Sequence, residues 1–377
     1  MTMYVTLGEN AAADGCFPHR TEDYIVLKSL AEEYHLAMAY YYLGCLLYDR
    51  RVYDESIEDY EESILRSPDF PTVHRNLALA YYNVKKLPQR AYEEMEKAFA
   101  LDETDARVYL ELDQLKKRLN VAVKERWSDM EKHFDLVESR DDLYLEYVTL
   151  LNTLGEPEKA LGLIKARKFH QWEGGEGKVA AQYLTALYQL AKAAVEKEDY
   201  AEAKELLLRA VGEYPHNLGE GKLESGQENN LYYLLGLVQE KLGEAKDAFE
   251  SLTRACCGES EPVGMMYYND QPPEMIYYQG LAYRMLGEEE QAVRRFQKLV
   301  DYGREHIRDD VKIDYFAVSL PDLLIFEENL NERNRKHCLF MMSLGLKGLG
   351  RIDEAEKCAE ELLAMDNAHQ EIRVHDL

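Results

Sequence analysis

Two short glycine-rich segments hold the residues best suited to chemistry. The tetrapeptide Gly-Glu-Gly-Lys occurs at 175–178 and again at 219–222, and Trp172 precedes its first copy. Glycoside hydrolysis needs two carboxylates beside the sugar, and an indole ring provides a flat surface on which a sugar stacks. The candidates for such a carboxylate pair are Glu173, Glu176 and Glu220.

The same segments also allow a simpler interpretation. Aspartate and glutamate total 71 residues, so carboxylates meet by coincidence in such a chain. The segments are not phosphate-binding loops, because Trp172 and His216 stand where that motif requires a glycine. We predict that the chain is not an enzyme, and that each tetrapeptide either contacts a partner or forms a turn that docks its loop on neighbouring helices.

Metal and thiol chemistry has little support in the sequence. The ten histidines include no His-x-x-x-His pair and the six cysteines no Cys-x-x-Cys pair, so we predict no metal site and no cofactor. Cys45, Cys338 and Cys358 lie in apolar helical patterns, where a cysteine acts as a small hydrophobic residue. Adjacent Cys256 and Cys257 are expected to remain reduced thiols rather than to form a vicinal disulfide.

The elements that position these residues follow from an internal repeat. Its first copy has bulky and small residues at fixed places of two successive predicted helices: Tyr40, Leu43, Gly44, Leu47, Ser56, Tyr60, Ser63 and Pro68. Small residues at the eighth and twentieth places let two helices approach closely, and the proline ends the second helix. Seven copies share this frame, with the twentieth place occupied by Ser56, Ala91, Ala160, Ala203, Ala248, Ala292 and Ala355. The pattern resembles the tetratricopeptide repeat, which implies an all-α, right-handed solenoid of helical hairpins.

The spacing between copies shows where extra residues lie. Ala160, Ala203, Ala248 and Ala292 follow one another at intervals of 43, 45 and 44 residues, about ten more than one repeat. The surplus falls in three segments between hairpins, which we name the rim loops: Phe169–Gln182, His216–Glu228 and Gly258–Pro272. Insertions at the same point of successive repeats emerge on one edge, and long loops are often functional. The predicted rim contacts are Trp172, Glu173, Glu176, Lys178, Glu220, Lys222, Asn269 and Asp270.

Aromatic residues recur at places that line the inner face of such a solenoid. We name these seven residues the aromatic row: Tyr41, Tyr48, Tyr82, Tyr188, Tyr233, Tyr277 and Phe340. Flat rings with hydroxyl groups suit an extended peptide or a sugar chain, and exposed aromatic patches usually mark interaction sites. The alternative is that the rings fill the core of a tightly wound array. A clamp for two carboxylates is not expected, because Arg75 alone cannot form one.

The predicted organisation is a single superhelix over 23–377, preceded by a loosely ordered lead-in at 1–22. The segment Tyr24–Tyr34 is predicted to pack as the second helix of a repeat whose first helix is missing. Such an unpaired helix favours the interpretation that the chain is a fragment, because a natural first repeat carries a polar capping face.

Two irregular segments interrupt the regular repeats. A degenerate repeat is predicted at 105–138, with its helices at Val108–Leu119 and Trp127–Val137. An inserted helical segment is predicted at 305–333, with the helix itself at Asp310–Phe326.

A closer likeness rests on four segments: Tyr42–Asp49, Phe169–Lys178, Asn217–Lys222 and Tyr267–Met275. Through them the chain resembles the C-terminal helical half of large bacterial proteins of uncharacterised function, which carry a mutarotase-like, β-rich region ahead of their repeats. The resemblance implies either a stand-alone relative or a fragment, and a link to carbohydrate-related proteins without an established reaction. Nothing in this sequence forms a mutarotase-like domain, so no sugar chemistry is carried over.

The net charge of the chain limits the classes of partner that it can bind. Lysine and arginine total 45 against 71 acidic residues, and the net charge of −26 repels phosphate backbones and anionic membranes. We expect a cytoplasmic, bacterial protein that binds neither nucleic acid nor membrane. The leading interpretation is a scaffold for a protein, a peptide or a carbohydrate. The alternative is a helical module that completes the active site of a carbohydrate-acting enzyme.

Overall fold

The structure is a computed structural model that describes residues 18–172, 174–222, 227–264, 270–312 and 325–375. Within these ranges every regular element is helical, which confirms the predicted all-α fold. The nineteen α-helices of the described residues are α1 Thr21–Tyr34, α2 Ala37–Asp49, α3 Tyr53–Arg66, α4 Pro71–Asn83, α5 Pro88–Leu101, α6 Ala106–Arg118, α7 Val123–Lys132, α8 Phe134–Ser139, α9 Asp141–Thr153, α10 Pro157–Ala166, α11 Lys178–Glu196, α12 Tyr200–Ala210, α13 Asn229–Lys241, α14 Ala245–Ala255, α15 Pro273–Met285, α16 Glu289–His306, α17 Leu330–Gly348, α18 Ile352–Met365 and α19 Gln370–Val374. A short 3-10 helix, His216–Leu218, lies between α12 and α13.

The described residues form two compact units, and each is described by itself. The first contains 18–119 and 325–327, with helices α1 to α6. The second contains the described residues of 120–323 and 328–375, with helices α7 to α19. The prediction of one continuous superhelix over 23–377 stays a prediction.

Successive helices pack against each other as hairpins in both units. In the first unit α2 pairs with α3 and α4 with α5. In the second unit α9 pairs with α10, α11 with α12, α13 with α14, α15 with α16 and α17 with α18. The first helices of these five hairpins also pack side by side, in the order α9, α11, α13, α15 and α17. Each hairpin thus contacts its sequence neighbours, which is the arrangement of an α-solenoid.

The small residues of the repeat are buried where the two helices of a hairpin meet. All seven twentieth-place residues are at most 5% exposed. In the first hairpin the hydroxyl of Ser56 donates a hydrogen bond of 2.7 Å to the carbonyl of Gly44. A Cβ atom at Gly44 would lie 2.7 Å from the ring of Tyr60. At such an approach there is no room for a larger side chain, and this is the physical cause of the periodicity in the sequence.

The second unit has its closest packing around Phe296 of α16, which is fully buried. A Cβ atom at Gly280 of α15 would lie 2.4 Å from this ring, and one at Gly348 of α17 would lie 2.3 Å from it. The ring of Tyr277 completes the contact at a centroid distance of 5.6 Å. One phenyl ring therefore joins three consecutive helices, and two glycines make the space for it.

Several predicted boundaries need correction. The second helix of the degenerate repeat is broken at His133, whose backbone is not helical, and becomes α7 and α8. The first rim loop is shorter than predicted, because α11 begins at Lys178 after Gly177, which has a left-handed φ of 74°. For the inserted helix Asp310–Phe326, residues 310–312 and 325–326 are not helical, and the remainder lies outside the described residues.

The N-terminal predictions are met in part by the described residues. The helix predicted at Tyr24–Tyr34 is confirmed as part of α1. Of the lead-in at 1–22, residues 1–17 lie outside the described residues, and Thr21 and Glu22 already belong to α1.

Replacing Gly280 by alanine is expected to lower the free energy of unfolding by about 1–3 kcal/mol, because the new methyl group overlaps the Phe296 ring. Replacing Gly162 of α10 by alanine is the matched control, since a Cβ atom there meets nothing within 4 Å. The control should raise stability by up to about 1 kcal/mol through the lower backbone entropy of alanine in the unfolded chain. Urea unfolding followed by circular dichroism measures both, and equal effects of the two substitutions would refute the packing argument.

Candidate functional site

The first two rim loops contact each other in the second unit. The backbone N–H of Phe169 donates to the carbonyl of Asn217 at 2.9 Å. The side-chain amide of Asn217 donates to the carbonyls of Ile164 and Arg167, at 2.7 and 2.9 Å. Asn217 therefore fastens the second loop to the end of α10 and the start of the first loop.

The third rim loop is held by the helices that follow it. The side chain of Gln279 donates to the carbonyls of Cys257 and Glu259, at 3.1 and 2.8 Å. The ring nitrogen Nε2 of His337 lies 2.8 Å from the carbonyl of Val263. A continuous rim of three loops stays a prediction.

Two of the predicted rim contacts are bound to helix ends. The carboxylate of Glu220 accepts hydrogen bonds from the backbone N–H groups of Gly177 and Ala180, at 2.8 and 3.0 Å. It thus caps the positive N-terminal end of α11. Nζ of Lys222 donates to the carbonyl of Val211 at 2.5 Å and pairs with Glu228 at 2.8 Å. These contacts support the interpretation that the Gly-Glu-Gly-Lys segments dock their loops on neighbouring helices.

The remaining rim residues are less constrained. Trp172 is half-buried, and its indole ring covers Gly175 so closely that a Cβ atom there would lie 2.2 Å from it. Glu176 is exposed, and Lys178 is the first residue of α11 rather than a loop residue. Asp270 is half-buried. Glu173 and Asn269 lie outside the described residues.

The aromatic row divides into buried and half-exposed rings. Tyr41, Tyr188, Tyr277 and Phe340 are between 3% and 8% exposed, which favours the core interpretation for these four. The ring of Tyr41, for example, packs edge-on against Phe70 at 5.0 Å. The half-exposed members are Tyr48, Tyr82 and Tyr233.

The helix α19 lies on the face formed by the first helices of the second unit. The side-chain amide of Gln370 donates to the carbonyl of Thr149 on α9 at 3.2 Å and to the side-chain oxygen of Gln182 on α11 at 3.1 Å. Nζ of Lys192, also on α11, donates to the carbonyl of the last residue of α19 at 2.8 Å. The side chain of Ile372 is fully buried. A short helix is thus held on this face much as a bound peptide would be.

Further contacts join the same segment to α15 and α17. The ring of His369, just before α19, packs on Phe340 at 5.0 Å. The hydroxyl of Tyr278 lies 2.9 Å from Nδ1 of His375 and 2.6 Å from the hydroxyl of Tyr188. Burial and the adjacent Tyr188 raise the pKa of Tyr278 well above its usual range, so the hydroxyl of Tyr278 keeps its proton. The C-terminal segment therefore contacts α9, α11, α15 and α17, all of them first helices.

A cluster of three ionisable side chains lies where α19 meets the start of α15. One oxygen of Glu274, one of Glu371 and a ring nitrogen of His375 all lie within 4.8 Å of one another. Burial, together with the nearby Glu371, raises the pKa of Glu274 to about 8. Burial acts to raise the pKa of Glu371 as well, but the hydrogen bond to His375 holds that pKa below its usual range. Such a cluster can share a proton or hold a cation.

The sequence prediction missed the four residues that organise this contact: Glu274, Tyr278, Glu371 and His375. One signal was present, because Glu371 and His375 are four residues apart and share a face of any helix. Glu274 and Tyr278 carried no such signal, since only the fold brings α15 and α19 together.

The cysteine thiols and the arginine that could act as a nucleophile or bind a carboxylate ligand are not available for these roles. Burial raises the pKa of the Cys256 and Cys338 thiols to about 12, which removes their reactivity at neutral pH. In the first unit Arg75 forms a bidentate ion pair with the fully buried Glu111, with two contacts of 2.6 Å.

In the part of the chain that the structure describes, no helix has both the length and the apolarity needed to cross a membrane.

Family models of the tetratricopeptide repeat match residues 41–106, 188–262 and 274–302. This chain carries tetratricopeptide repeats. Among solved structures, it is similar to a chain of one titled "Structure of Naa15/Naa10 bound to HypK-THB", at 10% identity and a TM-score of 0.41, over 93% of this chain and 57% of that chain. It is also similar to one titled "Crystal structure of MamA", at 17% identity and a TM-score of 0.20, over 70% of this chain and 95% of that chain. The chain thus spans little more than half the length of the first of these structures.

Replacing Glu220 by alanine is expected to lower the free energy of unfolding by about 1–2 kcal/mol, because two N–H groups at the start of α11 lose their acceptor. Replacing the exposed Glu213 of the neighbouring connection by alanine should leave stability within about 0.5 kcal/mol of the original. Urea midpoints of the two variants test this, and a Glu220 variant as stable as the Glu213 variant would show that the cap contributes nothing.

Acidification is expected to loosen the third rim loop through His337. Burial lowers the pKa of His337 to about 4, against 6.5 for the free side chain, so the folded state holds the neutral ring. The resulting stabilisation is complete above about pH 6.5 and is lost as the pH falls towards 4. Replacing His337 by glutamine should therefore flatten the decline of the urea midpoint between about pH 7.5 and pH 5. Parallel declines in the two proteins would assign the effect to other groups.

Proposed function

We propose that this protein is a peptide-binding scaffold whose binding surface is formed by the first helices of its second unit. Tetratricopeptide repeats generally mediate protein–protein interactions. The observation that carries the proposal is the position of the chain's own segment 369–375, which includes the short helix α19 and contacts four of these first helices. A surface that holds one helical segment through side-chain contacts is suited to a second segment of the same kind.

The contacts of α19 define the chemistry of the partner. Ile372 supplies one deeply buried aliphatic side chain, and Gln370 supplies an amide that bridges α9 and α11. Lys192 binds a backbone carbonyl at the end of the segment, a contact that any peptide can make. The expected ligand is therefore a short helical segment of a partner protein, with an aliphatic residue flanked by polar ones. Binding of this segment displaces α19.

The aromatic row takes part in this proposal in two ways. Tyr188 supports the surface from within, through its hydroxyl contact with Tyr278. Tyr233 retains accessible area and is proposed as an additional contact of this partner, whereas Tyr48 and Tyr82 belong to the first unit and stay predicted contacts there. In the rim loops, Trp172 and Glu176 are the accessible candidates, because Glu220 and Lys222 are bound to helix ends.

Catalysis forms no part of the proposal. Proteins built from tetratricopeptide repeats are typically non-catalytic scaffolds. The carboxylate pair considered for sugar chemistry loses Glu220, whose carboxylate caps α11. A protein or peptide partner is therefore proposed in preference to a carbohydrate.

Replacing Ile372 by aspartate in the intact chain is expected to release α19, because a carboxylate cannot occupy a fully buried aliphatic site without a large cost. A fluorescent synthetic peptide of residues 366–377 should then bind the variant at least about 100-fold more tightly than it binds the original chain, where the tethered segment competes. Fluorescence anisotropy measures the affinity, and circular dichroism confirms that the variant remains folded.

Two further substitutions in the Ile372 variant locate the binding surface. Replacing both Gln182 and Lys192 by alanine should weaken peptide binding by about tenfold or more, since each contacts α19 directly. Replacing Lys246 by alanine is the control, because this exposed residue lies on α14, a second helix. The proposal fails if the folded Ile372 variant does not bind the peptide, or if the control weakens binding as much as the double substitution.

A further inference from the structure

The cluster formed by Glu274, Glu371 and His375 differs from an ordinary acidic surface patch. Glu274 is only 7% exposed and His375 5% exposed, whereas most carboxylates of this chain face solvent. The cluster also combines an imidazole nitrogen with carboxylate oxygens, the ligand set that zinc and other first-row divalent ions accept. His375 directly follows α19 and lies four residues after Glu371, and its Nε2 lies 3.3 Å from the carboxylate of Glu371.

Glu274 is the residue that an ordinary packing role does not explain. Its carboxylate is more than nine-tenths buried, lies against the two other residues, and accepts a hydrogen bond from its own backbone N–H group. One backbone N–H group does not compensate a buried negative charge, so this carboxylate requires either a proton or a cation. A second carboxylate, that of Glu371, lies within 4.8 Å and increases this requirement.

The surroundings of His375 resemble the support that proteins give to a metal-ligating histidine. Its Nδ1 lies 2.9 Å from the hydroxyl of Tyr278, which in turn lies 2.6 Å from the hydroxyl of Tyr188. This leaves Nε2 facing Glu371 at 3.3 Å. Metal-bound histidines almost always use their second nitrogen in such a hydrogen bond, which fixes the orientation of the ring.

We infer that Glu274, Glu371 and His375 bind one divalent transition-metal ion of the zinc class. Tetrahedral zinc places its ligand atoms about 3.3 Å apart. Side-chain rotations that move the carboxylate oxygens of the two glutamates by about 1 Å therefore complete the site. Three protein ligands leave the fourth position to water. The charge of the ion balances the two carboxylates and satisfies the buried oxygen of Glu274.

The position of the site gives the ion a structural consequence. Glu274 belongs to α15, whereas Glu371 belongs to α19 and His375 follows its last residue, so the ion links the C-terminal segment to the first-helix face. Binding of the ion therefore slows the release of α19. The inference does not depend on any partner protein, because the ligands all belong to this chain.

The test uses the intact, metal-free protein and a competition between the protein and a chromophoric chelator for Zn²⁺. The original chain should bind one ion, and replacing Glu274 by glutamine should lower the affinity by at least about tenfold. Replacing Tyr278 by phenylalanine should lower it by about tenfold as well, because the support of His375 is lost. Replacing Glu290 by glutamine is the control and should change nothing, since that carboxylate is 89% exposed and lies on α16, which supplies none of the three ligands.

Co²⁺ supplies a second readout, because its visible absorption reports nitrogen and oxygen ligands directly, and the absorption should vanish in the Glu274 variant. Hydrogen exchange of residues 370–375 should slow when Zn²⁺ is added to the original chain but not to that variant. Equal zinc affinity of the original chain and the Glu274 variant would overturn the inference, since surface carboxylates would then hold the ion. Failure of the original chain to bind an ion would also overturn the inference. A higher melting temperature of the glutamine variant would then indicate that a shared proton alone explains the cluster.

Discussion

Helix pairs in this protein stack closely because one residue at each crossing has almost no side chain. The ring of Phe296 fills the space that Gly280 and Gly348 leave on either side of it, and so joins α15, α16 and α17. The same relation recurs between Gly44 and Tyr60 in the first unit. The close packing of the first helices, and hence the surface on which α19 lies, depends on these approaches, because a larger residue would push the helices apart.

This constraint also explains how much of the fold the sequence predicts. The contacts that build a hairpin join residues about 12 to 16 positions apart, so they leave a periodic pattern of small and bulky side chains, such as Ser56 against Gly44 and Phe296 against Gly280. The position of α19 leaves no such pattern, because Gln370 contacts Thr149, 221 residues earlier in the chain. The break at His133 was equally invisible, since the apolar residues continue through it.

The candidate site shows a related limit. The repeat pattern predicts that Tyr188 lies on the inner face. It allows two opposite interpretations, in which the ring is either exposed to a ligand or buried in the core. In the structure Tyr188 belongs to the first helix α11 and is buried partly against the chain's own His375, whose ring is 5.7 Å away. For Glu220 the sequence located the residue on a loop, but the capping role depended on the approach of that loop to Gly177, which no local pattern encodes.

The tethered helix α19 on the proposed binding surface sets a quantitative requirement for any partner. A segment joined by a short connection to its own site has an effective concentration of the order of millimolar. A free partner segment of equal intrinsic affinity, present at micromolar concentration, would therefore occupy only about one site in a thousand. The partner must bind more tightly than α19, by contacts that α19 does not make, and the half-exposed Tyr233 offers one such contact because it lies beside Tyr278 at 5.5 Å. Alternatively, loss of the inferred metal ion between Glu274 and the C-terminal segment must come first, because that ion would hold α19 on the surface.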